Sequence, residues 1–119
     1  MLDVLENFLS SVNSNAQIQR IVKGWNTDVL LEESDSNICY RLLINDGKIH
    51  QIVHSATPID VEDDDDSAMK IVGEAAIMRG LFEGKINGIR ANNEGSIAIY
   101  GPMGDQVKLD AIALILWGI

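Results

Sequence analysis

The sequence predicts one α/β (α+β) domain in which helices cover a sheet of about five strands, and three observations carry that prediction. Apolar residues recur at helical spacing towards both ends of the chain. Between those stretches they alternate two apart, the period of a half-buried strand. Residues 84–104, GKINGIRANNEGSIAIYGPMG, set a short alternating run between glycines, the punctuation of a turn, a strand and a second turn. With 119 residues and 46% hydrophobic content, the chain is long enough for one domain with a real core and too short for two ordinary ones.

Leu2, Leu5, Phe8, Leu9 and Val12 share a helical face, with Asp3, Glu6 and Asn7 between them, so the first dozen residues predict an amphipathic helix. Asn13, Ser14 and Asn15 break it. A second helix over residues 16–25 would place Ile18, Ile21, Val22 and Trp25 on one side, and both helices are expected to flank the sheet or to act as its lid. From Asn26 the period changes. Val29 and Leu31, then Ile38, Tyr40, Leu42 and Ile44, then Ile49 and Val53 predict three strands. Their linkers are residues 33–37 and Asn45-Asp46-Gly47; an Asp-Gly pair accepts positive φ and marks a hairpin, so the three strands form an antiparallel meander.

Residues 55–66 predict a loop, kept solvated by Pro58 and by the acidic run Glu62, Asp63, Asp64, Asp65 and Asp66. A fourth strand over residues 68–72 turns Met69 and Ile71 to one face. A helix opening at Gly73-Glu74 then groups Ile77, Met78, Leu81 and Phe82 on one side, with Glu74, Arg79 and Glu83 on the other. Gly84 closes it, because a residue without a Cβ takes the left-handed turn that ends a helix. Residues 88–93 predict a short helical turn. In the fifth strand Ile97 and Ile99 face one way, Ala98 and Tyr100 the other, and Gly101-Pro102 stops the run. The last helix, residues 105–117, begins amphipathic and becomes apolar all round from Ala111 to Trp117. Such a segment needs cover on more than one face: the sheet on one side, and a ligand, a lid or a second subunit on the other.

Charge narrows the function classes. A formal net charge of −9 and a pI near 4.4 argue against a nucleic-acid partner and against electrostatic recruitment to an anionic bilayer, both of which reward clustered Lys and Arg. The start, MLDVLENFLSS, lacks the basic, unbroken apolar pattern of a secretory signal, and no apolar run reaches the roughly 20 residues that span a bilayer. The ending Leu116-Trp117-Gly118-Ile119 is not a Ser-Lys-Leu address. The single cysteine, Cys39, lies in an apolar run and reads as a small buried hydrophobe. A cytoplasmic setting, with at most transient membrane contact, is the expectation.

Chemistry-bearing residues are sparse. No Ser, Cys or Asp has a histidine partner placed by a motif, and the glycines are not followed by the Lys-Ser/Thr pair of a phosphate loop, so the chain is expected to be no enzyme and to need no cofactor. His50 and His54 fall on a strand, where residues four apart lie about 13 Å from each other, too far to share a metal ion. The aspartate run lacks the glycine and ligand spacing of a calcium loop. Lys85 and Arg90 flank the short turn, where they either meet a head group or balance an acidic surface.

Gly84-Lys85-Ile86-Asn87, then Ala91, then Gly95-Ser96-Ile97-Ala98-Ile99-Tyr100-Gly101, and Met103-Gly104 with Leu109 beyond, form a joint pattern. It resembles the sterol carrier protein type-2 (SCP2) family, in which GK-hydrophobic-N, a short helix with Ala, a Gly-bounded strand and a closing helix follow one another. Asp66 before the fourth strand and the Asp46-Gly47 turn also fit, and the resemblance spans nearly the whole chain. It implies a mainly antiparallel sheet of about five strands whose helical cover encloses an apolar tunnel, used to bind and transfer a sterol, fatty acid, isoprenoid or phospholipid without chemistry. On that reading Ile77, Met78, Leu81, Phe82, Ile97, Ile99, Leu109, Ile112, Ala113, Leu116 and Trp117 line the cavity. Each buried methylene of an alkyl chain contributes roughly 0.8 kcal/mol, so such a tunnel needs no polar anchor. The alternative, from a different class, is an interaction module that uses the apolar C-terminal helix for a homodimer or to dock on a separate enzyme.

Overall fold

A computed structural model describes residues 1–55 and 69–118. Its elements run α1 (Leu2–Ser14), α2 (Ala16–Ile21), β1 (Thr27–Glu33), β2 (Ile38–Asn45), β3 (Lys48–Ser55), β4 (Met69–Gly73), α3 (Ala75–Phe82), α4 (Gly88–Glu94), β5 (Ile97–Tyr100) and α5 (Met103–Trp117). The described strands form one mixed sheet in the order β3-β2-β1-β4-β5. The meander is antiparallel, β4 joins β1 in parallel, and β5 closes the far edge antiparallel to β4. The acidic run and the loop expected over residues 56–66 fall outside the described residues.

Alternation decides which face of the sheet is buried. Val29 pairs with Leu42 on one side and Met69 on the other, and Leu31 pairs with Tyr40 and Ile71, so one row of side chains crosses three strands. All six are buried and join a single core cluster with Leu5, Phe8 and Val12 of α1, Ile18 of α2, Met78 of α3 and Ile112 of α5. Leu30 and Cys39 are also buried but point from the opposite face and lie outside that cluster. On that opposite face Arg41 meets Asp28 at 3.8 Å and Lys70 meets Glu32 at 3.6 Å.

The hairpin turn has positive φ at both central residues, 51° at Asp46 and 76° at Gly47, the geometry that suits strand twist. A Cβ at Gly47 would run into Val22, so only glycine lets the turn dock on the segment after α2. That docking is hydrogen-bonded: Gly47 N–H donates to the Trp25 carbonyl at 2.9 Å, and Gly24 N–H donates to Asp46 Oδ1 at 2.8 Å.

Two elements depart from the sequence expectations. The second helix ends at Ile21, not at Trp25, because Gly24 at φ +82° and the bonds to the hairpin draw the chain out of helical geometry. Val22 and Trp25 still reach the core from that turn, whereas Ile21 is 47% exposed. In β3 the register shifts between Leu43 and Ile44: Leu43 pairs with Gln51, but Ile44 pairs with Ile49. The extra residue is a bulge, which re-aims the side chains beyond it. Ile49 is therefore buried with Ile52 packed beside the core, and Val53 is 36% exposed instead of matching Ile49. Asn13 does more than break α1: its side chain donates to the Ile49 carbonyl and accepts from the Ile49 N–H, both at 2.9 Å, and so satisfies part of an edge strand.

Candidate functional site

Ten of the eleven predicted lining residues come together in one apolar layer contributed by β5, α3 and α5. Met78, Leu81, Phe82, Ile97 and Ile112 are buried in the core cluster, and Ile77, Ile99, Leu109, Leu116 and Trp117 pack against it half-buried. Ala113 is half-buried on α5 and outside the cluster.

The local sequence explains how each element is held there. Leu81 and Phe82 end α3, Glu83 caps it, and Gly84 follows at φ +79°. A Cβ at Gly84 would overlap the Trp117 indole, so the glycine both turns the chain and seats the end of α5. Trp117 stacks on Phe8, with centroids 5.9 Å apart, and Phe8 meets Phe82 edge-on at 5.1 Å. The other end of α5 is fixed by Asp105. Its carboxylate accepts from Trp25 Nε1 at 2.9 Å and from Thr27 Oγ1 at 3.1 Å. Asn87 caps α4 by accepting from Arg90 N–H at 3.0 Å.

The layer is tightest under α3 and loosest along α5. Met78 is fully buried, whereas Met103, Val107 and Leu114 of α5 are 70%, 56% and 62% exposed. Desolvation raises the Asp110 carboxyl on α5, and desolvation with the nearby Glu33 charge raises the Tyr40 hydroxyl.

A cavity of about 440 Å³ opens at the end of the sheet where β4 leaves and β5 enters. Ile77 and Ile97 of the predicted set wall it, together with Gly73, Ser34, Glu74 and Ser96. The other nine predicted residues do not reach it. Glycine at 73 keeps β4 close to its neighbours, since a Cβ there would sit 2.9 Å from Ile97 Cγ2 and 3.3 Å from Met78 Sδ. Ser34, Glu74 and Ser96 were not singled out as site residues by the sequence. They belong to three separate turns, and only the parallel pairing of β1 with β4 brings the first of them to the other two.

The remaining candidates are elsewhere. Lys85 pairs with Glu83 at 3.6 Å and Arg90 with Glu94 at 2.9 Å, both at the surface. His54 stacks on Tyr40 at 5.2 Å. Among the described residues there is no group of three or more His, Cys, Asp or Glu placed to hold a metal ion, and no helix long and apolar enough to cross a membrane.

Comparison with known proteins gives a fold and little sequence. No protein-family pattern matches the chain, and no curated protein sequence does. Solved structures do. Sterol carrier protein 2 superposes with a TM-score of 0.66 over 95% of this chain and 92% of its own, at 9% identity. The ubiquinone synthesis protein UbiJ-SCP2 gives 0.61 over 92% and 84%, also at 9% identity. Sterol carrier protein domain 2 of Helicoverpa armigera gives 0.56 over 92% and 81%, at 19% identity. The mixed five-stranded sheet, its strand order and its helical cover therefore give this chain the fold of sterol carrier protein 2.

Proposed function

We propose that the domain binds one long-chain lipid between its sheet and the helices α3 and α5 and carries it without chemical change. One observation supports this above the others: the apolar layer is continuous, at Ile77 and Ile97, with an open cavity of about 440 Å³. That volume falls within the roughly 300–1,000 Å³ of small-molecule sites. The ten residues of the layer, with Ala113 beside them on α5, are the proposed lining. In the present conformation its centre is filled by side chains such as Met78, so an alkyl chain enters from the cavity by parting α5 from the layer. The half-buried edge of α5 makes that motion cheaper than opening the meander side. The names of the structural relatives, sterol carriers among them, agree with this reading.

Native mass spectrometry tests it. Protein taken from cells, or mixed with fatty alcohols, fatty acids and isoprenoids, should carry one lipid per chain; bare protein throughout would overturn the proposal. Leu116→Asp should abolish uptake in a domain that still folds.

A second reading rests on the exposed side of α5, where Met103, Val107 and Leu114 offer apolar surface to another molecule, including a second copy of this chain. Sedimentation in solution separates the two, because a carrier works as a monomer whereas an apolar docking face drives self-association.

A further inference from the structure

The open cavity beside Ile77 and Ile97 is lined by polar and apolar residues together, and its polar side chains are of one electrostatic kind. Ser34 and Ser96 bring hydroxyls, Glu74 brings a carboxylate, and among the described residues no Lys, Arg or His lines it. Two further carboxylates adjoin it through the fold. Glu33, only 4% exposed, is the register partner of Gly73, and its carboxylate accepts from Ser36 Oγ at 3.0 Å. Asp35 accepts from Ala75 N–H at 2.8 Å, at the first turn of α3. The first donor of that helix start is therefore taken by Asp35, and Glu74 stands at its cap position, both carboxylates that an incoming anion would have to approach.

The cations of the flanking elements are engaged elsewhere. Lys70 of β4 pairs with Glu32 at 3.6 Å. Arg79 of α3 pairs with Asp3 at 3.1 Å and Glu83 at 3.3 Å, and Arg90 of α4 pairs with Glu94 at 2.9 Å. An anionic head group in this cavity would meet like charge with no counter-ion. A hydroxyl would instead donate to the Glu74 carboxylate and exchange hydrogen bonds with the two serines.

We infer that the lipid carried here presents a hydrogen-bond donor and no negative charge at Ser34, Glu74 and Ser96, and that lipids ending in carboxylate or phosphate are rejected. This rests on the lipid-carrier reading above and narrows its ligand class.

A matched pair of chains tests it. Tetradecanol and tetradecanoate compete at neutral pH against a neutral fluorescent lipid, with native mass spectrometry reading stoichiometry. The alcohol should bind at least about tenfold more tightly than the acid, since like charges brought together without a counter-ion oppose binding strongly. Equal or tighter binding of the acid overturns the inference and leaves the carrier reading standing. If neither binds and only bare protein is seen, the carrier reading falls and takes the inference with it. Glu74 is exposed and makes no side-chain cap bond, so Glu74→Gln keeps the fold. The variant should shrink the gap to within about threefold by removing the nearest like charge. An unchanged gap would remove Glu74 from the site.

Discussion

The two halves of this domain bury their apolar residues to different depths. On the meander side, α1 packs on β3 and on α2, and Leu5, Val12, Ile18, Val22, Val29 and Leu42 are each at most 1% exposed. On the other side, α5 approaches the core with Ile112 alone fully buried, while Leu109, Ile115, Leu116 and Trp117 stop half-way and Leu114 faces solvent. Both halves are built from the same aliphatic side chains. What differs is fixation: the meander side is stitched by Asn13 to Ile49 and by the hairpin turn to Trp25, whereas α5 is held at Asp105 and Trp117 with an apolar edge between. A cooperative unit opens where buried contacts are fewest, so the α5 side is the one that yields to a ligand.

The largest expected effect tests that contrast directly. Leu5→Ala or Leu42→Ala should each cost about 2–5 kcal/mol in denaturant unfolding, because each removes a side chain with no exposure from a packed site. Leu114→Ala, 62% exposed, should stay within about 0.5 kcal/mol. Comparable losses at Leu114 and Leu5 would mean that the outer side of α5 is covered and that the two halves are equally closed.

Next in size is Gly84→Ala. It forces a Cβ into positive φ and into the Trp117 indole, and should cost about 3 kcal/mol while shifting Trp117 emission to the red. A loss of stability without a fluorescence change would show that the end of α5 does not depend on this contact.

Much of this architecture is legible in the sequence, and the parts that are not have physical reasons. Strand alternation and helical spacing report which side of an element turns inward, so Val29, Leu31, Leu42, Ile71, Met78 and Leu81 were readable as one inward-facing set. Periodicity does not report register. The bulge opposite Leu43 and Ile44 adds one residue to β3 and sends Val53 outward in place of Ile52, which no pattern in residues 48–55 announces. Nor does it report partners far along the chain: Asp35 accepts at the start of α3 from 40 residues upstream, and Asp105 reaches Trp25 from 80 downstream. The layer proposed for the lipid shows the same limit. Apolar composition gathers Ile77 and Trp117 on one side of the sheet, but whether space remains between them is a matter of side-chain positions, and the cavity residues Ser34, Glu74 and Ser96 meet only through topology.

Asp105→Ala cuts the tie by which the open half is anchored to the closed one. It removes the acceptor for the Trp25 indole N–H and the Thr27 hydroxyl, and Trp25 is 5% exposed, so one donor is left buried and unpaired. The expected cost is about 1–2 kcal/mol. If α5 moves to admit a ligand, freeing its first turn should also speed lipid uptake from vesicles in stopped-flow measurements. Uptake at an unchanged rate, with stability lowered, would assign Asp105 to the scaffold and place the moving part elsewhere.

The smallest effect lies where α1 meets α3, and it is read by pH. The chain's amino terminus at 3.2 Å and the Arg79 guanidinium at 3.1 Å hold the Asp3 carboxyl at about 2, below its ordinary 3.8. A carboxyl depressed on folding adds stability above its unfolded pKa and loses it as pH falls through the folded one. The contribution is therefore present at neutral pH, fades below about pH 4 and is gone near pH 2. Asp3 is exposed and the pair is screened by solvent and salt, so Asp3→Asn should barely change stability at neutral pH and should flatten the acid limb between those values. Raising ionic strength should shrink the wild-type limb towards that of the variant. An acid limb identical in the two proteins at low salt would show that Arg79 does not hold α1 to α3 through this pair, and that Phe8 packed on Phe82 alone joins the two helices there.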